Sequence, residues 1–436
     1  MIRYFHEHPE FTAYTRFDNA TGRLEPVSPA AFSGALDDLG RETSRPYLRR
    51  FDRVEGTFFV GETPASHTRF PRRIYFQITR NCNLACPICF IKAGQGGSAV
   101  PKEIAKEVAQ FMGENGLIEV RLTGGEPTTH PAFFDILHDF QDAGVYVSVG
   151  TNGVFGRRIR DRLSEERNLW LICSIDGNKE THDRGRGKTY NTILSNLHHL
   201  KTNNPDLRLR INTVLTKDNK DQIDELARTC RELDAESITV IPLRPQVRDP
   251  AAKSSLVTAS EFSQALDDLV AAKRRYGINF TTTLGAEHAD DIHKDAVFTK
   301  RSSCAAGREG TNLDYDAEHQ QFFVYGCSYS PASDPEAASE LRQPFLAGSF
   351  PEDDLGSFLG LWQDDSRWEL FRDLSLKSKE CRVCPELAEF RCTGSCPIQN
   401  VDYTKINADG PVLTQLKEQI RTTAEWYCSR RVRETR

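Results

Sequence analysis

Nothing at the start of the 436-residue chain resembles a targeting segment: "MIRYFHEHPEF" has no apolar run, which argues against a signal peptide. No window approaches the ~18 apolar residues that a membrane-spanning helix needs. An excess of one charge is missing too. The 56 Lys and Arg stand against 62 Asp and Glu, a net charge of −6 with both signs interspersed. Neither nucleic acid nor a membrane is therefore expected as a partner. There is no internal repeat and no low-complexity tract. A cytoplasmic location is expected, and in that reducing setting the twelve cysteines read as metal ligands before disulfides. One further absence poses the main question. Cys82, Cys86 and Cys89 in "RNCNLACPICF" are spaced C-x3-C-x2-C, and no fourth cysteine lies nearby to close a zinc cage or a cubane.

The length suits about two or three domains. Residues 1–70 read as a small separate unit: strand, Asn-rich turn at Asn19 to Gly22, strand, then a helix opened by Ser28-Pro29. From about residue 71 to 300 strands and helices alternate. "IYFQIT" (74–79), "IEVRLT" (118–123), "VYVSVG" (145–150), "LWLICSID" (169–176), "LRLRINTVL" (207–215) and "ESITVIPL" (236–243) are short and rich in β-branched and aromatic residues. Helical stretches such as 102–116 and 219–233 lie between them. This α/β pattern predicts a parallel sheet with right-handed crossovers, curved into a partial (β/α)6 TIM-like barrel. Residues 301–436 hold seven cysteines in irregular α+β structure, with helices expected near 355–375 and 411–427. Bound metal is expected to contribute to the stability of that segment.

In such folds the chemistry gathers at the C-terminal ends of the strands. The three-cysteine loop follows the first strand, "GGEPTTHP" the second, "GTNG" the third and "SIDG" the fourth. Three thiolates can hold three irons of a [4Fe–4S] cluster and leave the fourth iron open; a zinc site short of one ligand and plain core cysteines are the alternatives. Pro87 limits the loop, and Phe90 is placed to cover a cluster. Gly124 and Gly125 permit close backbone approach, and Pro127 fixes the turn after Glu126. By strand alternation Ser174 and Asp176 point the same way, whereas Cys173 turns towards the helices.

These endings together resemble radical S-adenosylmethionine (SAM) enzymes over about residues 72–245. The resemblance implies that the open iron chelates the methionine end of SAM, whose cleavage yields a 5′-deoxyadenosyl radical that takes a substrate hydrogen. It implies SAM contacts at Gly124, Gly125, Glu126, Pro127, Asn152, Ser174, Asp176, Asn212 and Ile241. Ile88 stands where the family commonly has an aromatic residue, with its backbone available to adenine.

The remaining cluster-forming cysteines are Cys304, Cys327, Cys381, Cys384, Cys392, Cys396 and Cys428. Their core, C-x2-C-x7-C-x3-C, admits a zinc site. It also resembles the SPASM extension, which implies two auxiliary [4Fe–4S] clusters. That resemblance assigns Cys304, Cys327 and Cys396 to one cluster and Cys381, Cys384, Cys392 and Cys428 to the other. It implies three [4Fe–4S] clusters and SAM in all, served by an electron donor such as flavodoxin or ferredoxin. The middle spacing departs from the family's shorter one, and the expected glycine is adjacent to Cys327, as Gly326. An auxiliary cluster can accept an electron from a carbon radical, which suggests net oxidation.

Cys173 and Cys230 read as core thiols, with a hydrogen-donor role for Cys173 as the sharper alternative. His130 reads as a turn cap. Arg244 is a candidate for binding a carboxylate or making a surface ion pair, and Tyr325 and Tyr329 are candidate proton acceptors or packing residues. For substrate, three readings stand: a ribosomally made peptide that is crosslinked or oxidised; a small molecule such as a sugar or aminocyclitol that is dehydrogenated or epimerised; or an electron-transfer protein without turnover. The N-terminal unit favours the peptide, since strand addition can bind a leader segment.

Overall fold

The structure, a computed structural model, describes residues 2–8, 13–18, 23–27, 56–59, 67–68, 70–282, 304–382, 396–398 and 401–423. Its first sheet has four strands, β1 (Ile2–His8), β2 (Ala13–Asp18), β3 (Arg23–Val27) and β4 (Gly56–Phe59), in the order β3-β2-β1-β4. The expected hairpin is β2–β3, antiparallel, with Asp18 opposite Arg23. The sequence reading missed β1 and β4, which pair in parallel on the other side of β2. The turn at Asn19 to Gly22 and the helix after Ser28 lie outside the described residues.

The second sheet is built on β5 (Arg73–Thr79), β6 (Glu119–Gly124), β7 (Tyr146–Thr151), β8 (Leu169–Ser174), β9 (Arg208–Leu215) and β10 (Ser237–Pro242). Each of these neighbours is parallel to the next. All six expected strands are present, within a residue or two of their predicted ends. A seventh, β11 (Asn279–Thr282), continues the parallel run beyond β10. On the other edge β12 (Gly310–Asp316) pairs in parallel with β5, followed by the antiparallel strands β13 (Gln321–Tyr325) and β14 (Leu346–Pro351). Ten strands thus form one sheet, and the segment after residue 304 is more regular than its sequence suggested. "GTNLDYD" and "QFFVY" carry the strand signal, and the cysteine density around them masked it.

The crossover helices explain which face holds the core. In the helix Ile223–Glu232, Ile223, Leu226, Ala227 and Cys230 are buried at the spacing of one helical face. The helix Ala259–Tyr276 opens on a Thr258/Glu261 capping box and ends at Gly277 in the left-handed region; each such cap is worth about 1 kcal/mol. Ile74, Phe76, Ile78, Val120, Leu122, Val147, Val149, Leu171, Cys173, Ile211 and Val240 point into this helix-side core. The alternate residues line the barrel interior. Deep inside, Glu119 accepts from Arg73 Nε (2.7 Å), Arg121 Nη2 (3.2 Å) and Ser148 Oγ (2.6 Å). Burial pushes that carboxyl up, but the two arginines overcome it and hold it at about 2. The Trp170 ring lies under the guanidinium groups of Arg208 and Arg210, 4.4 and 3.9 Å away. No helix among the described residues is long and apolar enough to cross a membrane.

Candidate functional site

The cysteine loop leaves β5 and is tied down along its length. Backbone bonds run from Arg80 N–H to Ser98 O (2.7 Å), Cys82 N–H to Gly94 O (2.9 Å) and Val100 N–H to Ile78 O (3.0 Å). On the far side Asp249 N–H donates to Pro87 O (2.9 Å), and Arg248 donates to Ala93 O. The three thiols are half-buried, as is Ile88. Leu84 N–H donates to Cys82 Sγ (3.4 Å), and Asn152 Nδ2 approaches the same sulfur at 3.9 Å. Burial pushes the Cys82 thiol up to about 11, so a metal must displace its proton. Among the described residues no three His, Cys, Asp or Glu side chains converge closely enough to hold a single metal ion. Three half-buried thiols on one tied-down loop are the donor chemistry that a [4Fe–4S] cluster takes, so this donor set fits the cluster.

Gly124 and Gly125 do permit a close approach, and the partner is the cysteine loop itself. Gly124 has φ +139°, and a Cβ there would meet Thr79 O at 2.0 Å; one on Gly125 would meet Asn81 O at 2.2 Å. Gly125 N–H and Glu126 N–H donate to those same two carbonyls, both at 2.8 Å. The second strand ending thus fixes where the thiols stand. Pro127 opens a short 3-10 turn to Thr129. His130 caps it as expected, with Nδ1 accepting from Ala132 N–H (3.0 Å) and Nε2 against Val100 O (2.9 Å).

Glu126 is fully buried. Its Oε1 accepts from Thr128 N–H (3.2 Å), Thr128 Oγ1 (2.7 Å) and Thr151 Oγ1 (2.8 Å), and its Oε2 from Asn152 N–H (2.7 Å). The carboxylate is a bracket between the second and third strand endings; burial still pushes its pKa above the ordinary carboxyl value. Asn152 passes the link onward, donating to Asn83 Oδ1 (2.8 Å) in the cysteine loop.

Asp176 plays a similar part. Its Oδ1 accepts from Val214 N–H (2.7 Å), and its Oδ2 accepts from Arg186 Nε (2.5 Å). Its own N–H donates to His182 Nδ1 (3.1 Å). Ser174 is half-buried opposite Asn212 on β9, and Ile241 is buried on the interior side of β10. Ser174, Asn212 and Ile241 therefore share the interior face of the sheet. Arg186 was missed. It pairs with Asp176, and its charge reaches Cys86; the only signal was a basic run, "RGRGK", after the fourth ending.

Cys173 is fully buried in the helix-side core, as is Cys230, so neither thiol faces the mouth. Tyr325 is also fully buried, and its hydroxyl accepts from Gln77 Nε2 (2.7 Å). Tyr329 is placed differently. Its ring lies 4.6 Å from that of Phe90 and under the Arg244 guanidinium at 5.4 Å, and burial pushes its hydroxyl to about 12. Phe90 and Tyr329 therefore join the cysteine loop to the segment that carries Cys327. Lys92, paired with Asp334 (3.0 Å) and Glu336 (2.8 Å), makes a second link.

Around Cys327 the fold assembles a second thiol group. Burial first, then the neighbouring Cys304 and Cys396, push the Cys327 thiol well above its ordinary range. Three segments far apart in sequence thus act electrostatically on one another, with Cys304 exposed and Cys396 half-buried. Gly326 is adjacent to Cys327 for a packing reason, since a Cβ there would lie 2.6 Å from the Phe371 ring. Arg308, whose charge meets Cys304, has Nη1 buried with no hydrogen-bond partner among the described residues. An anionic cluster would satisfy it, so the donors here fit such a group. Cys381 is half-buried; Cys384, Cys392 and Cys428 lie outside the described residues.

Comparison with known proteins agrees with this geometry. Residues 76–230 match the family model described as the Radical SAM superfamily. The mycofactocin maturase MftC of Mycolicibacterium smegmatis is 26% identical over 349 residues, covering 78% of this chain and 81% of that protein. The AdoMet-dependent heme synthase of Methanosarcina barkeri is 26% identical over 332 residues, covering 73% and 89%. Among solved structures, Streptococcus suis SuiB bound to its precursor peptide SuiA aligns with a TM-score of 0.66 at 13% identity, over 98% of each chain. A protein that only shuttles electrons has no need of the four matched strand endings. Residues 76–230 are a radical SAM domain, and the chain is a radical SAM enzyme, whose superfamily works with SAM and a SAM-binding [4Fe–4S] cluster.

Proposed function

We propose that this enzyme is a maturase that modifies a ribosomally made peptide by hydrogen abstraction and net oxidation. The observation that carries the substrate class is the likeness to the SuiB–SuiA complex over 98% of the chain, a span that takes in the N-terminal sheet. That sheet ends in β3 and β4, and an extended leader peptide can add to such an edge. The maturase relative MftC supports the same reading.

In this reading residues 1–70 recognise the peptide, 71–300 form the catalytic barrel and 301–436 carry two auxiliary [4Fe–4S] clusters. Cys82, Cys86 and Cys89 hold the first cluster, which when bound supplies the electron that cleaves SAM. The backbone of Gly124 to Glu126 meets the methionine end, while the Glu126 carboxylate braces the loops from behind. Ser174 and Asn212 offer hydrogen bonds to the carboxylate or ribose, Ile241 packs on the nucleoside, and the Ile88 backbone meets adenine. Asp176 acts through Arg186, which it holds towards Cys86. Cys304, Cys327 and Cys396 hold one auxiliary cluster; Cys381, Cys384, Cys392 and Cys428 hold the other. A flavodoxin or ferredoxin supplies the electrons.

Oxidation of a small molecule is the second reading, favoured by the equally similar heme synthase. Deuterium labelling separates the two. The reconstituted enzyme is offered labelled candidate peptides and labelled small molecules, and 5′-deoxyadenosine is analysed by mass. Label from a peptide is the expected result; label arriving only from a small molecule would reject the peptide reading.

A further inference from the structure

The inward face of the barrel is reached by solvent, and its floor is cationic. On β9 the inward side chains Arg208, Arg210, Asn212 and Val214 are half-buried, while Leu209, Ile211, Thr213 and Leu215 between them are buried. Arg210 stands one inward position below Asn212, about 7 Å along the strand, and Asn212 lies opposite Ser174. On β6, Arg121 stands one inward position below Thr123, the residue before Gly124. Arg121, Ser148 and Trp170 hold facing positions on β6, β7 and β8, and the Arg210 guanidinium lies 3.9 Å from the Trp170 ring. The two arginines thus share one floor, a layer beneath the proposed SAM contacts.

The carboxylates of this floor are already taken. Glu119 is held by Arg73 and Arg121. Glu236 accepts from Arg208 Nε (2.7 Å) and Nη2 (2.9 Å). Arg210 has no ion pair among the described residues. Its one hydrogen bond there runs from Nε to Ser237 Oγ (3.1 Å), which leaves both terminal nitrogens available as donors. Burial, then the charges of Arg121 and Arg73, lower its pKa to about 9. Stacking on Trp170 steadies the cation without neutralising it. The Trp170 indole N–H is itself buried with no acceptor among the described residues. A carboxylate would supply the missing negative charge and two oxygens that match the guanidinium fork.

We infer that Arg210, with Arg121 beside it, receives a carboxylate of the substrate on the barrel floor and so holds the substrate beneath SAM. The inference rests on the proposed reading that a peptide enters this barrel. The carboxylate is the peptide's C-terminus or an acidic side chain. Arg210 binds the group that anchors the substrate and takes no part in breaking the C–H bond.

The test extends the deuterium assay. The peptide that delivers label is prepared unmodified, as its C-terminal amide, and with its Asp and Glu replaced by Asn and Gln. With the parent enzyme one neutralised form should show a KM roughly tenfold higher or more, as loss of a charged hydrogen bond implies. A penalty for the amide identifies the C-terminus as the source; a penalty for the other form identifies an acidic side chain. Arg210→Gln, at unchanged iron content, should raise KM for the unmodified peptide by a similar factor and add nothing for the neutralised form. Arg210→Lys should recover part of the loss. Equal KM for all three peptides with the parent enzyme would overturn the inference, and that arm needs no variant to fold. So would an Arg210→Gln penalty that is the same for charged and neutralised peptides. Absence of label from every peptide would remove the peptide reading and this inference with it, an outcome seen in the parent enzyme before the peptides are compared.

Discussion

The two groups of thiols reach their positions by opposite routes. Cys82, Cys86 and Cys89 come from one loop on one strand end, fixed by backbone bonds and by the close approach of Gly124 and Gly125. Cys304, Cys327 and Cys396 come from three segments far apart in sequence that act electrostatically on one another. The first group is a local device. The second is a tertiary one. On the proposed reading this is a division of labour, with a preformed cradle for SAM in the first group and an auxiliary cluster in the second.

The strongest way to break the comparison is to remove a thiol from each group. Cys86→Ala is expected to abolish SAM cleavage while auxiliary iron remains. Cys327→Ala should keep SAM cleavage but lose modified product. Chromatography of 5′-deoxyadenosine and of product reads both; equal loss of SAM cleavage in the two variants would erase the distinction.

The bracket behind the first group can be tested by stability. Glu126→Ala leaves several buried donors without an acceptor, at a cost of about 3 kcal/mol or more. Urea unfolding under anaerobic conditions should show this, with a smaller loss for Glu126→Gln. A loss below about 1 kcal/mol would mean that the bracket is not what fixes the loops.

A pH dependence sharpens the same point. Burial, with Arg186 adding to it against the pull of Asp176, depresses the His182 pKa from 6.5 to about 4. Protonation therefore favours the unfolded chain. The stability that neutral His182 contributes is complete above pH 6.5 and falls as the pH drops towards 4, by about 3 kcal/mol at most. His182→Gln should flatten that part of the stability curve; an unchanged slope would show that other groups dominate it.

The smallest effect concerns the link between the two groups. The Phe90–Tyr329 ring pair should show a coupling of about 1 kcal/mol in a double-mutant cycle with leucine at both sites. Additive losses would leave the two regions energetically independent.

Much of this was legible in the sequence. The six core strands could be placed because their β-branched runs alternate with amphipathic helices, and the first thiol group because its members all fall within eight residues. The inward side of Ser174 followed from a period of two, whereas Asn212 and Ile241 came from the family resemblance. What escaped was tertiary. Nothing local shows that the Glu126 and Asp176 carboxylates are saturated from within the protein, or that Arg186 pairs with Asp176. Strand β12 was hidden because its partner, β5, is more than two hundred residues earlier.

The most direct test of the account uses electron–nuclear double resonance on the reduced enzyme with SAM isotopically labelled in its methionine amino and carboxylate groups. The account predicts hyperfine coupling of the label to a cluster in the parent, the same coupling in a Cys304→Ala/Cys327→Ala/Cys396→Ala variant, and none in Cys86→Ala. Coupling that survives in Cys86→Ala, or that vanishes when only the second group is removed, would contradict it.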